Sequence, residues 1–248
     1  MNVAVAAFSL APGLALGSFL NVVAVRLPLR RSVVKPRSAC PSCAAELAWH
    51  DNVPLLSYAL LRGRCRSCGS RIGLVYPAVE LATALLLAGC VLKFGLSLEA
   101  LVAAFFCGVL VVLSAIDLEH RIVPNRLVVP AAAIVLVAQT ALHPRPEWGV
   151  AALGASGFLL LAALAYPAGM GMGDVKLALL LGAMLGKLVA VGLMTGMLAA
   201  FVPSVYLLAR HGSAARKMGI PFAPFLALGG VIALFVGQPL LDAYLRTF

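Results

Sequence analysis

The chain carries nine acidic residues among 248, few enough to sort one at a time, and two of them stand apart. Asp117 closes an apolar run in "AIDLEHRIVPN" (115–125), with Glu119 beside it and Pro124 blocking direct continuation of a helix. Asp174 opens another apolar run in "GMGDVK" (171–176), after a glycine-rich turn. Two carboxylates close together in a partly desolvated site cannot readily both ionise, so one keeps a proton and the other stays a base. Such a pair can activate water with one member and protonate a leaving amide nitrogen with the other, which is the chemistry of peptide hydrolysis. The glycines at 169, 171 and 173 would let an extended peptide approach Asp174 without side-chain obstruction. The same two residues also suit helix capping, a salt bridge with Arg121 or Lys176, or an ion path, and the residues alone leave these open.

A second constellation is "CPSC" and "CRSC": Cys40, Cys43, Cys65 and Cys68. Each pair places two thiolates on one tight turn, and two such turns can close a tetrahedral zinc site. The 21 residues between the pairs slightly exceed the usual spacing of roughly 15–20. Arg64 and Arg66 would favour thiolate over thiol. Four sulfurs leave no position for water, so such a site is structural. Two disulfides or free thiols are the alternative, and a reducing compartment argues against the disulfides. Cys90 and Cys107 sit alone in apolar runs as small hydrophobes. The four histidines are never spaced as ligands, and no serine or cysteine nucleophile stands near a plausible base. Glu46, Asp51, Glu99, Glu147 and Asp242 read as solvated or interfacial. Glu80, early in "YPAVELATALLL", is costly unless paired or facing a cavity.

The elements that must position these residues are helices in lipid. The chain is 62% hydrophobic and 11% charged, with a mean hydropathy of +1.04, against roughly 25% charged residues in a soluble domain. Apolar runs of about 20 residues recur from end to end. The expectation is an all-α integral membrane protein of about eight spans: 3–25, 75–92, 98–116, 127–142, 149–166, 176–190, 192–209 and 223–243. The pair from 176 to 209 meets at a soft boundary, "GKLVAVG", where one long bent helix is the alternative. The first basic residue is Arg26, so the N-terminal run reads as a retained span rather than a secretory signal. Nine Lys or Arg against Glu46 and Asp51 fall between Arg26 and Arg71, which marks a cytoplasmic loop rather than a nucleic-acid surface. Alternation then puts 117–126, 167–175 and 210–222 inside and both termini outside. The implied division is a first helix (1–25), a small cytoplasmic zinc-binding insert carrying the four cysteines (26–74) and a membrane core (75–248). Such an insert is too small for much of a hydrophobic core, which is a reason for a metal.

These segments resemble the bacterial prepilin peptidases, also called type 4 prepilin leader peptidases/N-methyltransferases, membrane aspartic proteases of the GxGD type. The resemblance runs nearly end to end: "GSFLNVVAVRLP" (17–28), the cysteine-bearing insert through "YPAVE" (40–80), "AIDLEHRIVPN" (115–125), "GMGDVKLALLLGAMLG" (171–186) and "IPFAPFLALG" (220–229). His50 stands where the family often has tyrosine, and Ala223 where it often has glycine. The resemblance implies removal of the basic leader from type IV prepilins or type II secretion pseudopilins, after a glycine, on the cytoplasmic face of the inner membrane. It implies Asp117 and Asp174 as the catalytic pair. It also implies N-methylation of the new terminus with S-adenosylmethionine, whose site no motif locates. A transporter or proton-coupled channel using membrane-edge aspartates is the reading from another class, and it predicts an internal repeat that the sequence does not display. A zinc-bearing membrane anchor would leave both aspartates unexplained.

Overall fold

The structure, a computed structural model, describes residues 2–166, 170–212 and 220–246. Gly169, named above beside Gly171 and Gly173, lies outside them, as do Arg216 and Lys217 of the 210–222 loop. Among the described residues the regular structure is helical, with only two isolated β-bridges. The chain forms two compact units, Met1–Ile116 and Asp117–Phe248.

The first unit holds α1 (Asn2–Arg26), the insert with the five-residue α2 (Leu56–Leu60), α3 (Val75–Phe94) and most of α4 (Leu98–His120). The sequence "GLALG" brings α1 and α3 together. A Cβ on Gly13 would lie 2.7 Å from the Cα of Ala84, and one on Gly17 would lie 2.6 Å from the Cα of Glu80. Small residues four apart let two backbones approach where lipid offers no hydrophobic drive. One turn further on the same face, buried Asn21 donates from Nδ2 to the Tyr76 carbonyl at 3.0 Å.

The second unit holds the end of α4, then α5 (Asn125–Leu142), α6 (Glu147–Ala165), α7 (Met172–Leu185), α8 (Val189–His211) and α9 (Ala223–Leu245). Helix α7 is its centre, packed by α5, α6, α8 and α9, with Leu177, Leu180 and Leu181 fully buried. Glycines again set the approach: Gly182 abuts the backbone of Ala151 and Ala152 on α6, and Gly229 of α9 abuts Gly192 and Gly196 of α8.

Among the described residues, eight helices of 14 residues or more therefore match the expected count. Seven stretches are long and apolar enough to cross a bilayer, and one of them, Met172–Arg210, comprises α7 and α8. The chain breaks there at Gly186–Leu188, a few residues before the expected boundary. Gly186 takes a left-handed φ of +55°, and Oε1 of Glu147 accepts the Lys187 N–H at 3.0 Å. Glu147, partly exposed at this outer turn, thus also holds the turn in place. This contact places the α5–α6 loop and the α7–α8 turn at one end of the unit. The starts of α5, α7 and α9 gather at the other, in keeping with the alternation. Large apolar side chains face outward, such as Phe8 (82% exposed), Leu161 (70%) and Phe201 (64%), as lipid-facing surfaces require.

Candidate active site and metal centre

Helix α4 runs on to His120, so Asp117 lies inside its last turn rather than at its end. Arg121 terminates the helix with φ +55°. Asp117 is buried, 6% exposed, and its Oδ2 accepts the backbone N–H of Ala223 at 3.0 Å. Ala223 is the first residue of α9, and the following residue is Pro224, so this carboxylate takes one of the few N–H groups that helix start offers. Glu119, beside it in sequence, is exposed.

Helix α7 starts earlier than expected, with Gly171 as its N-cap, which puts Asp174 at the third helical position. There the carboxylate reaches back to the Gly171 N–H, the side-chain half of a capping box. The Asp174 N–H itself bonds to the Gly171 carbonyl at 3.1 Å. Asp174 is half-buried and within Coulombic range of Asp117. The two aspartates thus lie in one neighbourhood: Asp174 sits on the first turn of α7, and Asp117, in the last turn of α4, faces the start of α9, so each carboxylate meets the positive end of a helix dipole. Among the described residues neither makes a salt bridge. Arg121 acts on Asp117 only through space, and Lys176 instead donates to Oδ1 of Asn125 at 2.7 Å.

Gly173 has a different use from the one its sequence suggests. A Cβ there would fall 2.7 Å from Cβ of Val123, in the segment joining α4 to α5. Its bare face is filled by the protein's own chain, which fixes the first turn of α7 against the segment that follows Asp117. Gly171 remains exposed, with Oδ2 of Asp174 3.6 Å from where its Cβ would be.

In the insert, the four cysteine sulfurs all lie within 4.8 Å of one another, and those of Cys40 and Cys68 are 3.8 Å apart. Ligands about 2.3 Å from a tetrahedral zinc would be separated by about 3.8 Å, so the donor set fits. The two halves repeat at an offset of 25 residues. Cys40 N–H bonds to Ala45 O and Ala44 N–H to Cys40 O; Cys65 N–H bonds to Ser70 O and Gly69 N–H to Cys65 O. Ala44 and Gly69 both take left-handed φ, +57° and +71°. The bridges Ala39–Glu46 and Arg64–Arg71 close the two turns. The N–H groups of Cys43 and Ser42 bring the Cys40 thiol down to about 6. Ala45 N–H favours the thiolate of Cys43, yet the neighbouring sulfurs, Cys68 foremost, push it up to about 11. Four thiolates at this spacing need a cation between them. Backbone N–H groups, rather than arginines, supply the activation expected of Arg64 and Arg66. Arg66 instead holds Asp51 through Nε at 3.0 Å and Nη2 at 2.7 Å, keeping that carboxyl below the usual range.

A family profile described as "Type IV leader peptidase family" matches residues 104–209, and "Bacterial Peptidase A24 N-terminal domain" matches residues 12–94. A prepilin leader peptidase/N-methyltransferase of Bacillus subtilis (strain 168) is 37% identical over 245 residues, covering 94% of this chain and 95% of the relative. The chain belongs to the type IV leader peptidase family. One relative of the same name from Burkholderia pseudomallei (strain 1026b) is 36% identical over 277 residues, 94% of this chain and 86% of its own. Another from Myxococcus xanthus (strain DK1622) is 42% identical over 190 residues, 73% of this chain and 56% of its own. No solved structure matches it significantly. With its apolar helices, this family member is a multi-pass integral membrane protein. Both aspartates fall inside the leader-peptidase match and all four cysteines inside the N-terminal one. The transporter reading draws no support from these matches.

The sequence missed Ala223 as the donor to Asp117. The signal was available in "PFAPF" (221–225), where proline marks a helix start.

Proposed function

We propose that the chain is a membrane aspartic endopeptidase that cuts the basic leader from type IV prepilins or type II secretion pseudopilins after glycine, and then N-methylates the new terminal residue. The names of its relatives support this reading. The observation that supports the catalytic part is that Asp117, bonded to the start of α9, and Asp174, on the first turn of α7, lie within Coulombic range of each other, and among the described residues neither is tied up in an ion pair.

Mechanistically, one carboxylate takes a proton from water as the oxygen attacks the scissile carbonyl. The other gives its proton to the departing amide nitrogen, so the pair carries one proton before and after, the one gained from water replacing the one given up. Ala223 N–H and Gly171 N–H hold the two carboxylates in place. The N–H groups of Met172 and Gly173, in the first turn of α7, remain available for the oxyanion. The apolar helix of the substrate would lie in lipid against the spans while its basic leader stays in the cytoplasm. The site faces that side of the inner membrane, and both termini lie outside.

Zinc bound by Cys40, Cys43, Cys65 and Cys68 gives the 26–74 insert its shape and takes no part in hydrolysis, which belongs to the 75–248 core. S-adenosylmethionine, when bound, supplies the methyl group: the amine forms an N–C bond, the C–S bond breaks with its electron pair left on sulfur, and a proton is released.

The experiment is incubation of the purified chain with a prepilin and S-adenosylmethionine, followed by mass spectrometry of the mature product. Expected is a new terminus after the leader glycine bearing one methyl group. An intact leader refutes the peptidase reading, and a cut but unmethylated terminus refutes the second activity.

A further inference from the structure

Helix α2 is built inside out. Ser57 is buried, 7% exposed, and its hydroxyl donates to the His50 carbonyl at 2.6 Å. The Tyr58 hydroxyl, one residue on, donates to the Ile72 carbonyl at 3.2 Å. These two bonds hold the helix to the rest of the insert. At 3.6 residues per turn Leu56 and Leu60 fall together on the other side, where they are 57% and 74% exposed. Trp49, 83% exposed, stands on the adjoining turn Trp49–Asn52, which the Ser57–His50 bond ties to α2. A helix on a water-facing surface turns its apolar side to the core. This one turns it outward.

The depth of this face follows from one bond. Helix α3 has 20 residues, about 30 Å of helix, which is the whole thickness of a hydrocarbon core. Its first residues therefore lie at the edge of the lipid. Glu80 is five positions further in, about 7.5 Å along the axis. There its carboxylate accepts the N–H of Leu55, the residue just before α2, at 2.9 Å, and a bond from the Ser18 hydroxyl of α1. Helix α2 thus starts beside the second turn of α3, below the level at which that helix enters lipid. An interfacial amphipathic helix buries its apolar face by about 5–10 Å, the same depth. Charge agrees with this placement. Nine basic residues stand against two acids between Arg26 and Arg71, and one of those acids, Asp51, is already held by Arg66. Arg62 and Arg64, just after α2, are both exposed, and neither makes a salt bridge among the described residues. So basic a surface repels a second copy of itself or a basic leader, and it attracts anionic headgroups.

We propose that α2 is an interfacial anchor: Leu56, Leu60 and Trp49 dip among the acyl chains of the leaflet at which α3 begins, and Arg62 and Arg64 meet its anionic headgroups. The insert is thereby held against the bilayer at a point between its two ends, rather than hanging from α1 and α3 alone. The bond from Leu55 to Glu80 sets the depth. The anchor does not depend on which reaction the aspartates catalyse.

Trp49 and Trp148 are the two tryptophans of the chain, which makes fluorescence the direct test. Two single-tryptophan forms of the full-length protein are placed in bilayers. Trp148→Phe reports on position 49, and Trp49→Phe with Trp148→Phe and Leu60→Trp reports on α2. Emission is read against lipid brominated high on its acyl chain and against acrylamide in the water, in phosphatidylglycerol and in phosphatidylcholine bilayers. Zinc content and a monodisperse elution profile establish that each form is folded. Expected is quenching by brominated lipid and protection from acrylamide in both forms. Adding Leu56→Asp should abolish the lipid quenching. Adding Arg62→Gln with Arg64→Gln should lower it in phosphatidylglycerol to the level seen in phosphatidylcholine. Quenching by acrylamide and not by lipid overturns the proposal, because the face then lies in water. Protection from both quenchers overturns it in favour of a protein partner. Equal lipid quenching in the two bilayers overturns the role given to the arginines.

Discussion

Replacing Gly173 with alanine would put a methyl carbon 2.7 Å from Cβ and 3.1 Å from Cγ2 of Val123. Carbon atoms rest about 3.5–4.0 Å apart, so the first turn of α7 and the 121–124 segment must separate by about 1 Å. Asp174 follows Gly173 directly and Val123 lies six residues after Asp117, so the displacement falls between the two carboxylates. A misplacement of about 1 Å costs about 100-fold in rate when reacting groups must be aligned. Alanine is the better helix former by about 1 kcal/mol, so α7 itself is not weakened. We therefore expect Gly173→Ala to insert and fold normally and to cleave a prepilin about 100-fold more slowly in a detergent assay. Removing the opposing Cβ with Val123→Gly in the same chain should restore most of the rate. A single variant that cleaves at the wild-type rate, or a double variant no faster than the single, refutes the argument that this contact sets the spacing of the aspartates.

Ala223→Pro removes the N–H that Asp117 accepts, at a position where proline is tolerated by a helix start. The loss of one bond to a charged group, about 1.5–3 kcal/mol, should slow cleavage about ten- to a hundredfold. Cys40→Ser or Cys65→Ser should abolish bound zinc, read by atomic absorption, and expose 27–74 to proteolysis, because a metal-dependent insert unfolds without its ion. Gly229→Ala must push α8 from α9 and should lower the thermal unfolding midpoint. Gly154→Ala, which meets nothing within 4 Å, should leave that midpoint unchanged or raise it.

Much of this fold is legible in the sequence because lipid permits so little else. Long apolar runs have to be helices, and their ends fall within a few residues of the expected places. The cysteine tetrad is equally plain, and its repeat at 25 residues could have been read from the spacing. What the sequence hides are contacts made across great separations by single atoms. Nothing local to "GKLVAVG" says that Glu147 will hold the turn at Lys187, which is what moves the helix break to Gly186. Nothing local to Asp117 names its donor, 106 residues away. Gly173 reads as room for a substrate, and only the fold shows Val123 occupying that room. Glu80 carries the opposite lesson. Its position in an apolar run flags it, while its partner, the Leu55 N–H 25 residues away, appears only in three dimensions.

The central claim is that Asp117 and Asp174 work as one unit. Single-turnover cleavage of a prepilin by Asp117→Asn, Asp174→Asn and the double variant tests it most directly. Members of a unit are non-additive, so each single change should cost nearly as much as both together, a loss on the order of 1,000-fold or more. Near-wild-type cleavage by either single variant, in a protein that is folded and inserted, would contradict the account.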